Sequence, residues 1–365
     1  MADNKNQHYV PRVHLKPFTL DGKGLAINLL NIDRMKPIRG APVKNQCSGD
    51  YFYGKDESLE RAISAIEGPY GEIVRILSVQ RPTVSPKARV VLLRFVLLQY
   101  LRTEAASRKA TEMTNAICNV PGSDIEAPPI REAIKAAVRH AMLTFAHMMR
   151  VVDDLKVCIL SNHTDRPFVT SDNPAVLTNR LHIQRRNNRR SFGVTTAGTI
   201  FLLPLSPRLS TIIYDPAVYH SSQQAGVIDV MSAADIDATN EHQILNCAAN
   251  LYFKDWEQRE QLIQHAVARR ERRPKCRHAI VHAALDHSTE WGRHYSAKDV
   301  KDLQDEEEVL VHIRENHAQP SAWPSFLRFR PDAKAYSNNS GTGLTRKSCI
   351  EHGFVTGTGY EKVRV

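Results

Sequence analysis

The spacing of apolar positions changes character twice along this chain. After Ser58, Ile63, Ile66, Val74 and Leu77 recur at roughly helical spacing, and Gly68-Pro69 should interrupt that helix. Ser85-Pro86 is a second helix start, with serine at the N-cap and proline in the first helical position. The helix that follows is apolar on most sides and should run through Arg102 and beyond. Its stretch from Val90 to Leu98 is too short to span a bilayer and carries Arg94, so it reads as a buried helix. A third helix is expected over 130–151.

The period then shortens. Lys156 to Leu160 and Phe168 to Thr170 read as short strands around a hairpin-length loop. Thr199 to Leu203 and Ser210 to Tyr214 flank Pro204-Leu205-Ser206-Pro207 as a second strand-turn-strand. Near the start, Asp21-Gly22-Lys23-Gly24 is a turn before a strand at Leu25 to Leu30. Ser232 should cap a helix reaching about Asn250, and a further helix should follow Asp255. These elements predict an α+β fold, a helical bundle packed on short antiparallel strands, with one domain over 1–288. Beyond that the pattern weakens. The extension over 289–365 has few apolar anchors in its last part, so a partly disordered tail or an extended arm is expected there.

Composition narrows the setting. A chain of 365 residues, 42% of them hydrophobic, can bury a full core. The six cysteines are scattered and no C-x-x-C occurs, which argues for free thiols in a reducing compartment. Met1 to Gln7 is polar, with no apolar run of the secretory kind, so a cytoplasmic location with no membrane is expected. The net charge of +10 is compatible with nucleic acid or another anionic partner, and equally with a solvated basic surface. Much of the excess lies in two runs. Arg185, Arg186, Arg189 and Arg190 belong to the first, and Arg270 and Arg273 to the second. Both could meet phosphates, although no aromatic residues interleave for base stacking.

Four groups could carry chemistry. His8, in Gln7-His8-Tyr9-Val10-Pro11, titrates near neutrality and suits a general acid or base; the plainer reading is an anchored terminus. The turn Ser171-Asp172-Asn173-Pro174 sets a carboxylate and an amide at a strand end, where Asp172 can hold a divalent metal or orient a base. Such residues before proline are also common in ordinary turns. Gln99 and Arg102 share a helix face and need polar partners, either a carboxylate such as Asp172 or an anionic ligand. His278 and His282 stand at i and i+4 near Cys276 and His287, suiting a metal if that segment is helical. There is no phosphate-binding G-x-x-x-x-G-K-[ST], no G-x-G-x-x-G opening a βα unit and no G-x-S-x-G elbow, so the nucleotide-triphosphatase, dinucleotide-dehydrogenase and α/β-hydrolase readings lose their main support.

The ordered set of His8-Tyr9-Val10-Pro11, Leu15, Phe18, Glu67, Gln99, Arg102-Thr103, Phe168 to Pro174 and Pro204 to Pro207 resembles a bacterial family, domain of unknown function 4238, over roughly residues 7–255. His14 departs from it, standing where the family usually has an aromatic residue. The resemblance implies an intracellular α+β protein without an assigned activity. It also implies that His8, Gln99, Arg102, Asp172 and Asn173 are recurrent polar positions, as a shared active site or a polar core would require. Two functions are therefore expected. One is a nuclease-like hydrolase of nucleic-acid or nucleotide phosphodiesters: His8 as acid or base, Asp172 orienting it or holding a divalent metal, Arg102 stabilising phosphate charge. The other is a non-catalytic nucleic-acid-binding or partner-binding module of a bacterial conflict or defence system.

Overall fold

The computed structural model describes residues 6–50, 52, 57–79, 82–118, 120, 128–185, 192–274, 277–290, 292–304, 307–339 and 343–365. Along the chain come β1 (Asn6–His8), α1 (Arg12–Leu15), β2 (Ala26–Asn31), β3 (Lys36–Pro42), β4 (Ser48–Asp50), α2 (Glu57–Val79), α3 (Pro86–Leu101), α4 (Glu104–Cys118) and α5 (Ile130–Met148). Next are β5 (Lys156–Asn162), β6 (Thr170–Ser171), β7 (Val176–Thr178), α6 (Arg180–Arg185), β8 (Ile200–Ser206), β9 (Leu209–Tyr214), β10 (Tyr219–Ser221), β11 (Val227–Val230), α7 (Ala233–Asn246), β12 (Asn250–Phe253) and α8 (Arg259–Arg269). The chain ends with β13 (His278–Thr289), β14 (Gly292–Lys298), β15 (Val309–Glu315), β16 (Leu327–Phe329), β17 (Lys334–Ser337), α9 (Lys347–Glu351) and β18 (Glu361–Arg364). The fold is α+β, and among the described residues no helix is long and apolar enough to cross a membrane.

The centre is a five-stranded sheet, ordered β11-β5-β9-β8-β7, antiparallel except where β11 runs parallel to β5. Alternation along β5 sends Val157 and Ile159 into a core shared with α2, α3 and α5, and Cys158 and Leu160 into a second core on the opposite face, which takes Ile236 of α7. Because both faces are covered, β8 and β9 are buried at every position, which explains why apolar residues dominate both strands. A four-stranded sheet, β3-β2-β12-β6, carries the N-terminal segment on one side and α7 and α8 on the other.

Several expectations are corrected. β5 and β6 are not a hairpin: β6 pairs with β12 in the second sheet, so the 163–169 segment crosses between sheets. α2 continues through Pro69, because the next residue, Tyr70, is fully buried against Phe95 and bonds to His14. α3 stops at Leu101 instead of passing Arg102. Thr103 then caps α4, its hydroxyl accepting from the Ala106 N–H at 3.3 Å. α7 ends at Asn246, short of Asn250, which opens β12. His278 and His282 lie on strand β13 and not on a helix, so their Cα atoms are roughly 13 Å apart at ~3.3 Å per residue, too far for one ion. Arg186, Arg189, Arg190 and Cys276 lie outside the described residues.

The extension gains more anchors than its composition suggested. β16 pairs with β10, Leu327, Ala333, Ala335 and Cys349 are buried, and Arg346 is only 3% exposed. Its guanidinium pairs with Asp154 at 2.8 Å and donates to the Val151 and Val194 carbonyls. A single buried cation, invisible to hydropathy, latches this segment to the domain.

Candidate functional site

Gln99 and Arg102 do meet on one face of the α3 terminus, and both are completely buried. Arg102 donates to Gln99 Oε1 through Nε at 3.1 Å and Nη2 at 3.0 Å, and to Glu67 Oε1 of α2 through Nη1 at 2.6 Å. Gln99 Nε2 donates in turn to the Tyr9 carbonyl at 2.8 Å, tying the N-terminal segment to the helices. The carboxylate partner of Arg102 is thus Glu67 and not Asp172. The network is closed to solvent at the arginine, which suits a structural ion pair.

Asp172 has a different task. Its Oδ1 accepts from the Ala248 N–H at 2.7 Å, and its Oδ2 from Ala249 at 2.7 Å and Asn250 at 2.8 Å. Burial, the larger effect, pushes the carboxyl above its usual range against these three amide donors and the nearby Arg277 charge. His8 is half-buried in β1. Burial lowers its pKa against a hydrogen bond to the Val43 backbone, and the charges acting on it are Arg12 and Glu67. Asp172 acts electrostatically on the next residue, Tyr9, and on Cys47. The unexpected buried histidine is His14, 1% exposed, held by Tyr70 Oη at 2.7 Å and Thr170 Oγ1 at 2.9 Å. Burial, with the Arg102 charge, pushes it down to about 3, so it is neutral.

Asn173 leads to an open site. Its Nδ2 donates to the Asn246 carbonyl at 3.1 Å, and Arg277 Nη1 donates to the same oxygen at 2.7 Å. Arg277 also reaches the Cys247 carbonyl, while Arg273 bonds to the Ile244 carbonyl at 2.8 Å and the Cys247 carbonyl at 3.2 Å. Two arginines thus satisfy the last carbonyls of α7 and complement its dipole. In the second basic run, Arg273 and Arg277 are thus engaged on a helix end. Arg269 is paired with Glu241 at 3.2 Å and Arg273 is spent on the helix end, while Arg270 remains exposed. In the first run Arg185 is exposed and lies over the Phe329 ring at 3.9 Å, so an aromatic partner does come, from the distant extension.

Beside Asn173 and Arg277 opens a cleft of about 980 Å³. Its floor is small: Ala106 and Ala110 of α4 face Ala133, Ala136, Ala137 and Ala141 of α5. The polar wall includes Thr103, Asn173, Arg277, His278, Glu315 and His317. His278 Nε2 stands 2.5 Å from Glu112 Oε2, joining β13 to α4. His317 Nε2 accepts from the Phe192 N–H at 3.1 Å, and its ring stacks on Phe192 at 3.4 Å. Of the candidate residues read from sequence, Asn173 and His278 line this cleft, together with Thr103 of the family motif. Glu112, Glu315 and His317 went unflagged, since no local spacing relates them. The alanine periodicity of α4 and α5 was a visible signal of space between two helices.

Other groupings carry less. Ser161 Oγ at 3.1 Å and Asp229 Oδ1 at 3.0 Å both meet His163 Nε2. A nucleophilic triad needs the carboxylate and the hydroxyl on opposite ring nitrogens, so this trio is not one. Among the described residues no three His, Cys, Asp or Glu side chains are placed to hold a metal ion.

The family described as protein of unknown function (DUF4238) matches residues 6–257. No curated protein and no solved structure matches the chain. Spanning both principal sheets and all of the elements that hold Gln99, Arg102 and Asp172, that match shows that the chain belongs to the DUF4238 family.

Proposed function

We propose that the protein is a non-catalytic binding module whose cleft takes a mononucleotide or the end of a nucleic-acid strand. The observation that carries this reading is the pairing of an alanine-lined floor with Arg277 at the rim of a cavity of about 980 Å³, within the usual size of a small-ligand site. A flat apolar body fits the floor. Arg277 is fixed by two carbonyls, and a guanidinium carries five donors, so it can still take an anionic oxygen. The lining balances Arg108 and Arg277 against Glu112 and Glu315, which favours one phosphate over a polyanionic backbone. Calorimetric titration with the four 5′-mononucleotides should show binding that Ala137→Trp, which fills the floor, abolishes while the urea midpoint stays put. Binding unchanged by that substitution would refute the reading.

A second reading, hydrolysis of a phosphodiester, rests on the His278–Glu112 contact. A carboxylate held 2.5 Å from an imidazole nitrogen fixes that ring's orientation, so His278 could move a proton at a ligand on the cleft wall. Turnover of labelled RNA or DNA that His278→Asn removes would favour it over pure binding.

A further inference from the structure

The match to the family ends at residue 257, yet four of the six residues named on the cleft's polar wall lie beyond it. The floor and Asn173 belong to the matched region. Arg277, His278, Glu315, Asn316 and His317 come from the β13–β15 sheet and the segment after it. This sheet is set against α4, and two of its fastenings lie at the cleft wall. One is the His278–Glu112 contact at 2.5 Å, and the other is His317, which stacks on Phe192 and accepts its N–H.

We propose that this extension is the selectivity wall of the cleft: His278, Glu315 and His317 decide which member of the nucleotide class enters, while the family's own region supplies an undiscriminating floor. The inference rests on the nucleotide-binding reading for its ligand and on the geometry of the wall for its closure. Alanines offer only contact and shape, and a methyl more or less discriminates weakly. A carboxylate offers acceptors alone and an imidazole Nδ1 either a donor or an acceptor, the Nε2 atoms of His278 and His317 being engaged by Glu112 and Phe192, so the wall distinguishes base edges that differ in hydrogen-bond pattern. The Glu112–His278 clasp holds that wall over the floor.

Two arms test this on the full chain. In the first, the affinities of the four 5′-mononucleotides are compared for wild type, Glu315→Gln, His317→Gln and Ala137→Trp. The wall variants should change the ratio between the best and worst nucleotide at least tenfold, whereas Ala137→Trp should abolish binding of all four. A ratio left unchanged by both wall variants overturns the proposal. In the second, Ala137→Cys is modified by a small and by a polyethylene-glycol-bearing maleimide, with and without Glu112→Ala, subtracting the labelling of the native cysteines. Opening the clasp should raise the rate for the large reagent at least tenfold and leave the small one nearly unchanged. Equal rates for both overturn the closure. If wild type binds none of the four nucleotides, the nucleotide reading fails by itself, and the labelling arm still decides whether the extension walls the cleft.

Discussion

Arg102 is the most exacting place to separate a structural role from a chemical one. It is wholly buried, with Glu67 at 2.6 Å and Gln99 Oε1 at 3.1 and 3.0 Å. Glu67→Leu takes the carboxylate away from a buried guanidinium, and breaking a buried pair from one side costs about 3–5 kcal/mol. The remaining Gln99 contact argues for the lower end, about 3 kcal/mol. Arg102→Met acts differently. The Glu67 side chain, 23% exposed, can turn to water, and the principal loss is a stranded Gln99 Oε1, about 1–3 kcal/mol. The double variant should be no worse than Arg102→Met alone, so the coupling between the sites equals the Glu67→Leu cost, about 3 kcal/mol. Urea unfolding at neutral pH, with the slope checked for constancy, measures each term. Additive losses, or a Glu67→Leu cost below about 0.5 kcal/mol, would refute the reasoning. Nucleotide binding by folded Arg102→Met should match wild type. Its loss at full stability would instead make Arg102 an anion clamp.

Two further outcomes follow from the buried polar groups. His14 and His242 are pushed down to about 3 and about 4 by burial, below the ordinary 6.5, so the unfolded chain binds more protons and stability falls as pH drops from 6.5 toward those values. Each should remove roughly 2 kcal/mol between pH 7 and pH 5, and His14→Gln should flatten the fall in urea midpoint over that window; an unchanged slope would count against the assignment. Asp172→Ala strands the N–H groups of 248–250 and should cost about 2–4 kcal/mol, with nucleotide affinity falling because Asn173 and Ala248 lose their support; affinity lost without any change in the urea midpoint would restore a direct role for the carboxylate.

Periodicity announced the helices and the β8–β9 turn because those elements bury contiguous faces. It could not tell that β5 and β6 join different sheets, since strand partners are set by distant residues: β6 waits for β12, about eighty positions on. The polar positions flagged in sequence were rightly tied to one another in the case of Gln99 and Arg102, but their partner, Glu67, could not be ranked above Asp172 by residue type alone. The cleft was the least visible feature. Its floor is a set of alanines, which read as helix formers, and its wall comes from residues some two hundred positions apart, such as Glu112 and Glu315. His14, an oddity in sequence, proved to be a neutral link between α2 and β6.

The Arg346 latch bears on the order of assembly. Asp154 precedes the central sheet, but the guanidinium that pairs with it is 192 residues later in the chain. During synthesis, the Val151 and Val194 carbonyls and the Asp154 carboxylate, which precede the interior strands β5 and β8, must stay solvated until that segment emerges. Contacts of such long sequence separation slow folding, because loop-closure entropy is lost before the contact forms. The chain is thereby built to hold a nearly complete domain in waiting, with the cleft wall between residues 277 and 317 already made, until one late arginine fastens it.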